Sequence, residues 1–165
     1  MADSVKVNSR RGSALAHRVT VRTVRRVLVV ANQTATSPTL VAALQERNTH
    51  GPVCFHLVVP ALNKRLRHWV SDTDEAVAAA YARAEEAAAV LMAHGLAMSF
   101  EVGDSVPLHA IEDALAGFEA DEIVISTLPP SQSHWLEHNV VQLAREGFAI
   151  SVRHVLAPER EALAA

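Results

Sequence analysis

Five short apolar runs, each closed by turn residues and alternating with helical patterns, constrain this chain more than any other feature. Val27–Ala31 (VLVVA) is continuously apolar, as strands buried on both faces are. The turn Asn32–Thr36 follows. Ser37 as N-cap and Pro38 at the first helical position then predict a helix to about Arg47. Gly51–Pro52 breaks the chain before the second run, Val53–Val59, which Pro60 closes. A long helix is predicted from about Asp74 to His94, with Ser71 or Asp72 as cap and Gly95 at its end. Ala97–Val102 reads as the third strand, ended by Gly103. Asp104 or Ser105 then caps a helix with Pro107 in its first turn and Leu108, Ile111, Leu115 and Phe118 along one face. Glu122–Ser126 is the fourth strand, His134–Glu146 the fourth helix and Phe148–His154 the fifth strand. Such alternation packs as a parallel sheet with right-handed crossovers. The predicted class is α/β: five parallel strands, doubly wound, in a three-layer α/β/α sandwich.

The expected organisation is one α/β domain over 26–155, between a basic extension at 1–25 and a tail at 156–165. A chain of 165 residues can bury a core without staples. Its net charge of -3 hides an asymmetry. Lys6, Arg10, Arg11, Arg18, Arg22, Arg25 and Arg26 face only Asp3 in the first 26 residues, so the remainder is acidic. No aromatics interleave these charges for base stacking, which favours a solvated extension over a nucleic-acid contact. The single cysteine, Cys54, excludes an internal disulfide and fits a reducing compartment. No apolar run reaches the roughly 18 residues of a membrane span, and the amino terminus lacks a signal-peptide core. The expected location is the cytoplasm, away from membranes.

Ligands of open α/β sheets settle outside the carboxyl ends of the strands, at the point where strand order reverses. Asn32, Thr34, Ser126, Thr127, Ser131 and Ser133 should gather there, beside helix amino termini that favour anions. Serine and threonine also cap turns. Ligand contact is favoured for Asn32 and Thr127, and capping for Ser131 and Ser133. Lys64, Arg65, Arg67 and His68 follow the second strand on the same edge and read first as a solvated loop, with Trp69 as its anchor. His134 and His138 share a helical face, but HWLEH is not H-E-x-x-H and no third ligand is evident, so no metal is expected. Cys54 and His56 read as core residues of a strand. No nucleophile elbow, spaced acid pair or Walker loop is present, so no catalytic residue is assigned.

Three segments resemble the universal stress protein family, over roughly residues 26–155. RVLVVANQTATS (26–37) is similar to the family's first strand and turn, with Asn32 where an adenine-contacting aspartate usually stands. HLVVP (56–60) is similar to the end of its second strand, where Val58 and Val59 would offer backbone groups to the base. Gly103-Asp104 matches the loop before the third helix, and Asp104 could meet a ribose hydroxyl. The fourth loop, within DEIVISTLPPSQSHWLE (121–137), departs from the G-x2-G-x9-G-[ST] pattern of ATP-binding members. The first glycine position reads Ser126, the second Pro129, and the region of the last pair reads His138-Asn139. Proline has no amide proton for a phosphate.

The resemblance implies Asn32, Thr34, Val58, Asp104, Ser126, Thr127 and Asn139 as the ligand-contacting set. ATP or AMP is the implied ligand, and no cofactor is demanded by the residues. It also implies a homodimer paired through the fifth strand, acting in stress physiology as a non-catalytic module with an altered crevice. Two alternatives stand beside it. One is a ligand-free interaction module whose crevice is closed by Pro129, Pro130 and Trp135. The other is an enzyme on an adenylated or phosphorylated small molecule, with Lys64, Arg65 or His138 stabilising charge.

Overall fold

The computed structural model describes residues 24–61, 72–133, 135 and 139–158. Residues 1–23 of the basic extension, the loop residues Lys64, Arg65, Arg67, His68 and Trp69, His134 and His138, and residues 159–165 of the tail lie outside the described residues. Five strands form one sheet: β1 (Arg25–Val30), β2 (Val53–Pro60), β3 (Met98–Gly103), β4 (Glu122–Thr127) and β5 (Ser151–Leu156). Among the described residues, four helices connect them in chain order: α1 (Pro38–Thr49), α2 (Asp72–Ala93), α3 (Pro107–Gly117) and α4 (Val140–Gly147). All pairings are parallel and the order is β3-β2-β1-β4-β5. The predicted α/β class and doubly wound sheet are therefore present. The chain winds outward from β1 to β2 and β3, then returns to β4 beside β1. The reversal places the switch point between β1 and β4.

Burial explains the continuous apolar run of β1. Val27 and Val29 join Leu40, Leu44, Phe55, Leu57, Ala84, Ala87 and Leu91 in the layer beneath α1 and α2. Leu28 and Val30 face Ala110, Ile111, Ile123, Ile125, Val141 and Ala144 beneath α3 and α4. Each β1 residue from Val27 to Val30 is thus inside, whichever face it points to. Gly103 lets α3 approach closely. A Cβ there would stand 2.6 Å from the Ala110 Cβ and 2.9 Å from Val58 Cγ1.

Local stereochemistry matches several expectations. Ser37 Oγ accepts from the Leu40 N–H at 3.1 Å, with Pro38 behind it in the first turn. Gly95 has φ 78, and α2 ends in paired bonds from Gly95 N–H to the Met92 carbonyl and from Leu96 N–H to the Leu91 carbonyl. That is the Schellman arrangement for which glycine is favoured.

Three expectations are corrected. The third helix is not capped through the side chain of Asp104 or Ser105: Val106 holds the N-cap position, and Asp104 Oδ1 accepts the Val106 N–H at 2.7 Å in a turn ahead of it. The fourth helix does not run unbroken from His134. Trp135 is helical, but α4 starts at Val140 because Asn139 takes φ 53, ψ 30, a left-handed conformation that asparagine tolerates and that interrupts a helix. The fifth strand begins at Ser151, not Phe148, since the Phe148 N–H still closes α4 on the Ala144 carbonyl; it then runs on to Leu156.

Candidate functional site

Every strand ends toward the edge where the turn after β1 meets the loop after β4. Asn32 begins that turn and is 4% exposed. Its Nδ2 donates to the Pro60 carbonyl at 2.6 Å, and its Oδ1 accepts from Arg83 Nη1 at 2.7 Å. The two partners determine the amide orientation, since a carbonyl needs a donor and a guanidinium needs an acceptor. They also explain asparagine in place of an acid. A carboxylate would turn an unprotonated oxygen toward the Pro60 carbonyl.

Thr34 is buried and its Oγ1 donates to the Ser126 carbonyl at 3.1 Å, joining the β1 turn to the end of β4. Ser126 itself is 1% exposed, and its Oγ has no hydrogen-bond partner among the described residues. Buried hydroxyls without a partner are few in folded proteins. Thr127 is buried beside it. Its Oγ1 lies 2.7 Å from His154 Nε2, a hydrogen bond whose direction follows the ring tautomer, and its carbonyl accepts from the Ala157 N–H at 2.9 Å. Burial, reinforced by the positive charge of Arg145, holds His154 below its ordinary pKa of 6.5, so the ring is neutral near pH 7.

The β4 loop offers little backbone to a phosphate. Pro129 and Pro130 have no N–H, and the amides of Gln132 and Ser133 both donate inward to the Pro129 carbonyl. Counting from Ser126, the last glycine of the pattern falls on Asn139, whose positive φ reproduces a conformation glycine would take freely.

The seven residues named from the sequence therefore divide. Asn32, Thr34, Ser126 and Thr127 meet at the switch point, all buried. Val58 is wholly buried in β2, its carbonyl already accepting from the Ala31 N–H. Asp104 is exposed in the turn before α3, and Asn139 is exposed ahead of α4. Of the residues offered as closing the crevice, Trp135 is buried in the layer beneath α3 and α4, Pro129 is half-buried and Pro130 exposed.

Sequence reasoning missed Arg83 and His154. Arg83 had a legible signal. It is the only Lys or Arg in α2 and falls between Ala80 and Ala87 on the helix stripe that faces the core. His154 had none, since its partner lies on a neighbouring strand.

His56 Nδ1 lies 2.7 Å from Ser99 Oγ and His56 Nε2 3.3 Å from Glu101 Oε1, with the ring stacked on Phe118. The string has the order of a hydrolytic triad. Ser99, however, sits in mid-strand, away from the helix amino termini at the carboxyl edge that could stabilise an oxyanion. It clips β2 to β3. An open depression of about 480 Å³, lined by Val24, Arg25, Arg26, Glu119, Ala120 and Asp121, lies at the opposite edge of the sheet.

A universal stress protein from Archaeoglobus fulgidus superposes with a TM-score of 0.57 at 18% identity, covering 81% of this chain and 98% of that one. The fold is that of the universal stress proteins. A universal stress protein in complex with cAMP gives a TM-score of 0.53 at 16% identity, over 79% of this chain and 96% of its own. The Archaeoglobus fulgidus protein in complex with dAMP gives 0.55 at 17%, over 81% and 98%. No family model matches the chain, and no curated protein does. Among the described residues, no group of His, Cys, Asp and Glu could hold a metal ion, and no helix is long and apolar enough to cross a membrane.

Proposed function

We propose that the protein is a non-catalytic universal stress protein-like module that takes a small nucleotide at the switch point, and that occupancy biases the pairing of two copies through β5. The observation that carries this reading is the double attachment of Thr127. It lies at the crevice floor, yet its hydroxyl meets His154 and its carbonyl meets Ala157, so it ties the crevice to the edge strand. A ligand that displaces Thr127 moves β5 with it. Solved structures of the same fold hold cAMP and dAMP, which supports a nucleotide as occupant. Among the described residues, one side of β5 has no strand beside it, and Leu156 at its end is 47% exposed, an edge that a second copy would cover.

The test is calorimetric titration with AMP, cAMP and dAMP, paired with sedimentation velocity with and without the nucleotide. Saturation at about 100 times the dissociation constant adds roughly 2.7 kcal/mol of stability. The expected result is binding by at least one nucleotide, a changed dimer constant, and loss of that coupling in Thr127→Val. Binding with an unchanged dimer constant would refute the coupling.

A second reading, a ligand-free interaction module, is favoured by the fact that Asn32, Thr34 and Thr127 already have protein partners. It requires that no nucleotide bind, while pairing persists and is abolished by Leu156→Lys.

A further inference from the structure

Arg83 reverses the polarity of the end of the crevice where a base would lie. An aspartate following β1 would present a free acceptor, suited to an exocyclic amine. Here Asn32 donates one amide N–H to Pro60, and its oxygen accepts from Arg83. What remains to meet a ligand is the guanidinium, with only one of its N–H donors engaged among the described residues. It is half-buried, and no described carboxylate pairs with it. A partly desolvated cation in that position is stabilised by whatever supplies acceptors. At the end of the neighbouring strand β4, the Ser126 Oγ is a second polar group without a partner among the described residues.

The geometry points to a purine with two adjacent acceptors: Arg83 makes the crevice select guanine, through its O6 and N7, over adenine. Adenine offers N7 but sets an amino group where guanine has O6, so donor would face donor. The planar fork of arginine fits the guanine edge bidentately, which a lysine cannot do. This inference rests on the nucleotide reading above and adds the identity of the base to it. A phosphate could also satisfy a guanidinium, so the experiment separates base from phosphate.

Isothermal titration of the full chain with GMP, AMP and ribose 5-phosphate is the test. GMP should bind more tightly than AMP by roughly 5- to 150-fold, the range of one bidentate base contact, and ribose 5-phosphate should bind no better than AMP. Arg83→Met keeps most of the aliphatic stem and should erase the preference. Arg83→Lys keeps the charge and should lose most of it. Circular dichroism checks the folding of both, and either variant alone suffices if the other misfolds. AMP equal to or tighter than GMP, ribose 5-phosphate matching GMP, or a preference that survives Arg83→Met would overturn the inference. AMP and GMP binding equally to the wild-type chain overturns it while preserving the nucleotide reading. Failure of every nucleotide to bind removes both.

Discussion

The buried ion pair between Arg47 and Glu122 makes the sharpest energetic prediction. Both residues are 6% exposed, Arg47 near the end of α1 and Glu122 at the start of β4. Arg47 Nε donates to Glu122 Oε2 at 3.1 Å and Nη2 to Oε1, while Nη1 reaches the Ala43 carbonyl at 2.6 Å. Removing one member of such a pair strands a charge in the interior and costs about 3–5 kcal/mol. The two deletions should not cost the same. Arg47→Met leaves Glu122 with Arg25 Nη2 at 3.8 Å, a half-exposed partner, so its cost should sit near 3 kcal/mol. Glu122→Leu leaves Arg47 with one carbonyl and should approach about 5 kcal/mol. The double variant should fall within about 1–2 kcal/mol of wild type, because well-packed apolar replacements of a buried pair are often neutral or stabilising. Urea denaturation of all four proteins gives the coupling energy directly. The melting temperature of Arg47→Met should fall by roughly 10 °C. Single variants that each cost under about 1 kcal/mol, or a double variant as unstable as the sum of the singles, would refute the reasoning.

Other consequences can be measured on the same preparations. Gly103→Ala forces the new Cβ into Ala110 and Val58 and should cost about 1–3 kcal/mol, read from the urea midpoint. The folded state holds the His154 pKa below 6.5, so the unfolded chain binds the proton first as pH falls. Stability from this group is therefore complete above about pH 6.5 and declines below it; His154→Gln should flatten that part of a midpoint-against-pH curve. Ser37→Ala removes the acceptor for the Leu40 N–H and should cost about 1 kcal/mol. A loss indistinguishable from zero would mean that solvent satisfies that amide.

What could be read from the chain without its fold was local. The apolar run Val27–Val30 implied a strand covered on both sides, because a continuous run leaves no polar face to turn outward. Ser37-Pro38 and Gly95 announced helix ends, because their covalent structure favours those backbone states in any fold. Alternation of such elements then limits the topology to a parallel, doubly wound sheet, and with it the edge where Asn32, Thr34, Ser126 and Thr127 meet. Tertiary structure decided what those residues do. Arg47 finds Glu122, Asn32 lies between Pro60 and Arg83, and Thr127 binds His154 only once distant segments stack in register. Even the start of α4 belongs to this class: asparagine tolerates a left-handed backbone, but nothing in SHWLEHNVV itself requires Asn139 to adopt one. Torsional preference acts over a few neighbouring residues, whereas hydrogen bonds and ion pairs across strands depend on which side chains packing brings together.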